Sequence, residues 1–393
     1  MKIIKISGSL VMLLMLVAMC FNACKPMRNL TSPPVPWTGD NNFTALTPIN
    51  NPDKKNVFIV ADAATTVLFD MLAPFYLFNA TGEANVYIIA KDNTPILIKR
   101  NFFVRPQLTF AAADSMQLQA DVIVVPALSK RDEHQDTVVV NWIKAHVSSA
   151  TKLLAICDGA TTAAATGLYD GKPLTCHASD YAGLKTHFSK PGWVQNIAVT
   201  KSGNLYSTAG VSNAVEGSLI VINDLFGMET MQKVLTGIAY PASAIKTTHH
   251  SIAVSGSDKF TVAKKIFFRK NRKVAVLIED GIDEFDMACI TETYGRSFPA
   301  CFSIINPNSS TTRTKYGLTL LSTAALNSGD FDELHVPLSR TLSPQELAYF
   351  KNTSIIRYDG VQKQYLIDVC LKRIAAQYGH RFEDFVKVSL DYN

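Results

Sequence analysis

At 393 residues, 47% hydrophobic and 18% charged, the chain exceeds one compact core, so two domains are expected. Its formal charge of +5 is spread along the sequence, and the one short basic cluster, KKIFFRKNRK at 264–273, reads as a solvated connector. No nucleic-acid partner is expected on that charge pattern.

The chain opens with MKIIK and then SLVMLLMLVAM at 9–19, a basic start followed by an apolar stretch too short to span a bilayer comfortably. It runs into CFNACKP, the pattern of a bacterial lipoprotein signal, with small Ala23 before Cys24. Residues 1–24 are therefore expected to be a signal peptide and Cys24 the lipidated residue, with Cys20 the weaker candidate. Residues 25–54, rich in Pro, Asn and Thr, read as a tether. The mature protein is expected in the bacterial cell envelope, anchored to a membrane by lipid and facing the periplasm or the exterior. Of the 7 cysteines, Cys157, Cys176, Cys289, Cys301 and Cys370 then remain. An odd number leaves at least one free thiol, and no CxxC or Cys/His spacing suggests a metal, so neither metal nor cofactor is expected.

From Lys55 strands and helices alternate. NVFIVAD (56–62), NVYIIA (85–90), ADVIVVPAL (120–128) and TKLLAIC (151–157) are apolar, β-branched runs suited to a parallel sheet buried on both faces. Helices are predicted over 65–82, 136–149, 159–171, 178–188 and 213–227, antiparallel excursions over 94–110, and a hairpin near 196–208. The pattern means βαβ units and a doubly wound parallel sheet, a flavodoxin-like α/β fold. A second, degenerate α/β copy begins near 272: RKVAVLIEDGIDEFDMACITETYG resembles KNVFIVADAATTVLFDMLAPFYLF, and FDELHVPLS (331–339) echoes ADVIVVPALS (120–129). The domains are thus read as 55–240 and 272–393, joined by a linker at 241–271, with no counterpart of AICDGA in the second copy and a helix over 361–379.

Chemistry is expected where TKLLAIC runs into GATTAAATG. A strand passing into a helix through one tight turn places Cys157 at the carboxyl end of the sheet, as a nucleophile elbow does. The N–H groups that follow, first that of Asp158, could bind an oxyanion. A cysteine ending a buried strand is inert filler about as often as a nucleophile.

The stretch LLAICDGATTAAATGLYDGKPLTCHASDYAGLKTHF, followed by GNLYSTAGVSNAVEGSLIVINDLFG, resembles the ThiJ/PfpI family of the class I glutamine amidotransferase-like superfamily. The nearest branch is the domain at the front of many AraC-type regulators, whose DNA-binding partner this chain lacks. The resemblance implies a functional elbow cysteine at Cys157, an acidic residue beside it at Asp70 acting as proton shuttle, and a histidine at His177 assisting the thiol. Asp62 is the second acidic candidate, and Asp286 is the counterpart of Asp70 in the repeat. The resemblance also implies a small-molecule substrate and a homodimer, a place the internal repeat can take.

Two departures weaken a catalytic reading. Ala127 and Leu128 replace the family glycines after the strand at 121–125, leaving a second oxyanion donor in doubt, and Asp158 adds negative charge beside the thiol. A Cys157–Cys176 disulfide is the extracellular alternative. The reading is a cysteine-dependent hydrolase or hydratase, with a non-catalytic ligand-binding or redox-sensing module as its rival. GLYDGKP (167–173) is no phosphate loop, His249–His250 is weak evidence for a metal, and Trp37, Trp142 and Trp193 form no aromatic platform.

Overall fold

The computed structural model describes residues 26, 35–39, 50–99, 102–128, 136–322, 330–337, 341–358 and 364–392. Cys20 and Cys24, with the whole signal, lie outside the described residues. The first unit runs β1 (Lys55–Val60), α1 (Leu68–Ala80), β2 (Ala84–Ala90), β3 (Ile96–Lys99), β4 (Phe102–Val104), β5 (Leu108–Thr109), α2 (Phe110–Ser115) and β6 (Val122–Val125). Then follow α3 (Thr137–His146), β7 (Lys152–Ile156), α4 (Gly159–Ala165), β8 (Pro173–Leu174), α5 (Tyr181–His187) and β9 (Gly192–Trp193). The hairpin β10 (Val199–Ser202) and β11 (Leu205–Thr208) leads to α6 (Ala214–Phe226) and α7 (Met228–Gly237). The second unit comprises α8 (Gly256–Phe268), β12 (Lys273–Leu277), α9 (Glu284–Gly295), β13 (Cys301–Ile305), β14 (Thr311–Arg313) and β15 (Thr319–Ser322). It ends with β16 (Glu333–Val336), α10 (Pro344–Tyr349), β17 (Ser354–Arg357), α11 (Leu366–Tyr378) and α12 (His380–Leu390).

Seven strands form the main sheet in the order β10-β11-β7-β6-β1-β2-β5. Every pair in it is parallel except β10–β11. Successive residues of β1 serve opposite faces. Val57 and Ile59 join a core shared with the second unit, while Phe58 and Val60 join a separate core that includes Trp142, Ala160 and Ala163. Burial on both faces is why the strand reads as one continuous apolar run. The doubly wound α/β architecture and the second α/β region follow the sequence expectation.

The second unit repeats the first in miniature. Its parallel sheet, β13-β12-β16-β17, has the order of β2-β1-β6-β7. In each unit a helix pair follows on the same pattern. α6 packs on α1 and α11 on α9, and each of α6 and α11 passes into the next helix through a glycine with positive φ, Gly227 at 88° and Gly379 at 91°. The tyrosine beyond each pair donates to a carboxylate in the first turn of the earlier helix. Tyr240 reaches Glu216 Oε1 at 2.6 Å, and Tyr392 reaches Asp368 Oδ1 at 2.6 Å.

The two units meet through equivalent elements. α1 lies on α9, where Phe285 stands 5.8 Å from Phe69 and 5.6 Å from Tyr76, ring centre to ring centre. The hairpins β3–β4 and β14–β15 join edge to edge into one antiparallel sheet through β4 and β15. Pairing these edges leaves neither hairpin a bare inner strand to aggregate.

Two expectations need correction. The stretch 241–271 is a plain connector only in its first part, since 256–268 is helix α8, packed on α12. Its buried Lys265 donates to Phe298 O at 2.8 Å and Asn271 Oδ1 at 3.0 Å, which ties the helix to the second unit. The second copy also has a sequence counterpart of AICDGA, although its residues 359–363 lie outside the described residues. β17 takes the place of β7, and IIRYDGV (355–361) aligns with LAICDGA (154–160), putting Tyr358 where the first unit has Cys157. Tyr358 does not take the left-handed φ of Cys157.

A core common to both units predicts one unfolding transition. Phe285→Ala removes a ring that is 2% exposed at the α1–α9 contact and should cost about 3–5 kcal/mol. In a denaturant titration, far-UV ellipticity and thiol exposure in both units should shift together to a lower midpoint.

Candidate functional site

Cys157 follows β7 directly and has φ +54°, a left-handed backbone in a residue that is not glycine. Such a conformation costs of order 1–3 kcal/mol and persists only where its surroundings hold it. Two contacts here do so. The Cys157 N–H donates to Thr208 Oγ1 of β11 at 3.3 Å, and Gly159 lies against the end of β6. A Cβ on Gly159 would stand 2.0 Å from Val125 O and 2.9 Å from Pro126 backbone atoms. The C-x-G spacing is therefore a steric necessity of this turn. The helix behind it, α4, ends at Ala165, short of the 159–171 expected, because Gly167 turns the chain at φ +74°.

Asp70 sits in the first turn of α1 with no exposed surface. Its Oδ2 accepts the Ala127 N–H at 3.1 Å, while Ala127 O accepts from Val67 N at 3.0 Å. The amide in doubt as a second oxyanion donor is thus engaged by Asp70, and the carboxylate clamps the loop after β6 to α1. Asp62 closes a local turn instead. Its N–H donates to Thr66 Oγ1 at 2.9 Å and its Oδ1 accepts from Ala64 N at 2.8 Å. In the repeat, burial and the nearby Asp283 push the Asp286 carboxyl up to about 7, against the opposing charge of Lys315.

Asp158 occupies the N-cap position of α4, is 4% exposed, and makes no side-chain capping bond. The next amides are committed: Ala160 N–H to Cys157 O at 3.2 Å and Thr161 N–H to Asp158 O at 2.9 Å. Cys176 is buried nearby. Burial raises its thiol pKa far above the ordinary range, and the negative charges of Asp158, Asp180 and Asp391 push the same way. No disulfide joins Cys157 and Cys176, so the disulfide alternative is not the state of this structure.

His177 differs from its expected role of assisting the thiol. Its Nδ1 accepts from Ser179 N–H at 3.2 Å, which leaves the proton on Nε2, 3.2 Å from Val388 O in the second unit. With both ring nitrogens on backbone groups, His177 ties α12 to the site in place of polarising Cys157.

Sequence reasoning missed what the second unit brings here. Asp391, just past α12, sits with its Oδ1 2.9 Å from His249 Nε2, and both side chains are buried. A contact across 142 residues of sequence leaves no local pattern. Among the described residues no group of three or more His, Cys, Asp or Glu side chains could hold a metal ion, and no helix is long and apolar enough to cross a membrane.

Gly159→Ala tests the steric reading of the elbow. The methyl must displace the β6 carbonyl, so the variant should lose about 1–3 kcal/mol or more in urea unfolding. An unchanged midpoint would show that the turn has room to spare.

Comparison with known proteins places the same segment in a family. The family model of the DJ-1/PfpI family matches residues 54–223. An isonitrile hydratase of Pseudomonas putida is 24% identical over 172 residues, 44% of this chain and 72% of that protein. Protein dj-1beta of Drosophila melanogaster is 29% identical over 120 residues, 30% of this chain and 63% of that protein, so the match spans less than two thirds of it. Among solved structures, Drosophila melanogaster DJ-1beta superposes with TM-score 0.41 at 21% identity, covering 47% of this chain and 97% of that one. A ThiJ/PfpI family protein from Pseudomonas syringae superposes with TM-score 0.41 at 17% identity, covering 54% and 84%.

Proposed function

We propose, from the premise that residues 54–223 are a DJ-1/PfpI-family unit, that the chain is a cysteine-dependent small-molecule hydratase or hydrolase. The observation that carries this reading is Cys157, held at φ +54° where β7 meets α4 at the carboxyl end of a parallel sheet. Strain of this kind concentrates at sites of chemistry. The Pseudomonas putida relative is named an isonitrile hydratase, which favours hydration over peptide cleavage.

In such a cycle Cys157 Sγ bonds to an electrophilic carbon of the substrate, and the adjacent substrate atom takes up a proton relayed by Asp70. Water then adds at that carbon as the C–S bond breaks. The thiol and the Asp70 proton are restored, and the net change is one water added to the substrate. The Asp158 N–H is the oxyanion donor of this scheme. No metal or cofactor takes part.

One observation favours the rival reading, a ligand-binding or redox-sensing module. Cys157 is 5% exposed, and its neighbours Cys176, Asp158 and His177 are also buried. The deciding measurement is the pH dependence of Cys157 alkylation, read by peptide mass spectrometry. A catalytic thiol should label with an apparent pKa well below the unperturbed ~8.5, and Asp70→Asn should shift it. Slow labelling with an ordinary, Asp70-independent profile would leave the binding reading in place.

We also take Cys24 to be the lipidated residue, in an envelope protein held on a membrane surface. Cys24→Ser should release the chain from the membrane fraction and abolish incorporation of labelled fatty acid. Retention of both would assign the anchor elsewhere. The second unit fills the place of a partner subunit in this reading, and no homodimer is needed.

A further inference from the structure

We propose that the turn closing α12, residues Val388–Asp391, is a latch laid by the second unit over the Cys157 site, and that Asp391 is the residue that controls access to the thiol. The inference rests on the reading of Cys157 as the functional thiol.

The last carbonyls of a helix have no donors within it. In α12 two of them are reached from the first unit. His177 Nε2–H donates to Val388 O at 3.2 Å, and Ser212 N–H donates to Leu390 O at 2.9 Å. Ser212 Oγ donates to Asp391 O at 2.9 Å. Within its own unit Arg296 Nε donates to Ser389 O at 3.0 Å, Asp391 N–H donates to Val388 O at 3.1 Å, and Tyr392 N–H donates to Lys387 O at 2.9 Å. His177 and Ser212 are each close in sequence to residues tied to the elbow region. His177 follows Cys176, and Ser212 lies in the turn after β11, the strand whose Thr208 accepts the Cys157 N–H.

Asp391 is where this contact is weakest. It is left-handed at φ 57°, and it places a carboxylate at the negative end of a helix. Its Oδ2 is buried and has no hydrogen-bond partner among the described residues. These unfavourable features are offset by one side-chain contact, that with His249, in a pair whose side chains are 1% exposed each. His249 is fixed in turn by the first unit, because the adjoining Thr248 bridges to Ile197. Opposite Asp391 stands Gly210, where a Cβ would meet Asp391 Cβ at 2.1 Å and Oδ2 at 2.7 Å. Gly210 has no left-handed φ, so this contact alone demands a glycine there. With Cys157 5% exposed, a substrate or reagent reaches the sulfur only after something moves. The residue that concentrates strain and leaves one buried carboxylate oxygen unpartnered is the one placed to move.

The test compares rates of Cys157 alkylation in the full chain by iodoacetamide and by a bulky maleimide, with Cys289, which has no exposed surface, as the internal control for unfolding. Gly210→Ala should speed Cys157 labelling at least tenfold, more for the bulky reagent, with Cys289 still protected. Asp391→Gly should also speed it, by removing the His249 contact. The double variant should label at the Asp391→Gly rate, since no Cβ remains for the alanine to strike. Unchanged labelling in folded Gly210→Ala overturns the latch. So does an acceleration by Gly210→Ala that persists in the Asp391→Gly background. Failure of the thiol reading looks different: the variants open the site, yet the released thiol titrates like an ordinary cysteine and is indifferent to Asp70→Asn.

Discussion

The fold depends on one helix being buried on every side. Residues Leu68–Phe78 of α1 are all buried, because the main sheet covers one face and α9 with α6 covers the rest. A helix that is apolar all round has nowhere to go but an interior. It therefore needs the second unit as much as its own sheet, and the Phe285 ring between Phe69 and Tyr76 supplies the contact. Asp70 is carried on that same helix, and through Ala127 it fixes the loop beside the elbow. Packing between the units and the geometry near Cys157 are consequently set by one element.

The second unit keeps what serves that packing and drops what served a site. The core strand order, the helix–glycine–helix pair and the tyrosine–carboxylate bond are all retained. The region between β17 and α11 is short, whereas between β7 and α6 the first unit holds α4, β8, α5, β9 and the β10–β11 hairpin. Tyr358 replaces the cysteine and bonds to the buried His335 at 2.6 Å. A bulky, buried, hydrogen-bonded side chain makes that position one of packing.

Much of this was legible in the sequence because the signals are local. Continuous β-branched runs marked β1, β2, β6 and β7, and the C-x-G spacing marked a turn whose glycine is required by the carbonyl of Val125. The degenerate repeat was visible at 272–295 because the Phe-Asp-Met motif sits in the same place on both buried helices. Tyr358 carries no cysteine signal, and only the Asp-Gly after it matches the first unit. What was not legible is long-range. No periodicity predicts that His177 turns to a carbonyl 211 residues away, or that Asp391 meets His249. Such contacts depend on how two units dock, which no local pattern records.

The charges around the elbow bear on how the thiol could work at all. Asp158, Asp180 and Asp391 lie close enough to Cys176 to raise its pKa, after the larger effect of burial. A thiolate forming at Cys176 would face carboxylates in a dry interior, where like charges repel most strongly. Withdrawing the α12 turn removes one of those carboxylates and admits water in the same motion. In the latch reading, the same motion that uncovers Cys157 thus also changes the charge environment of its neighbour Cys176. The second unit, which has lost its own cysteine, would in this way decide when the remaining one can act.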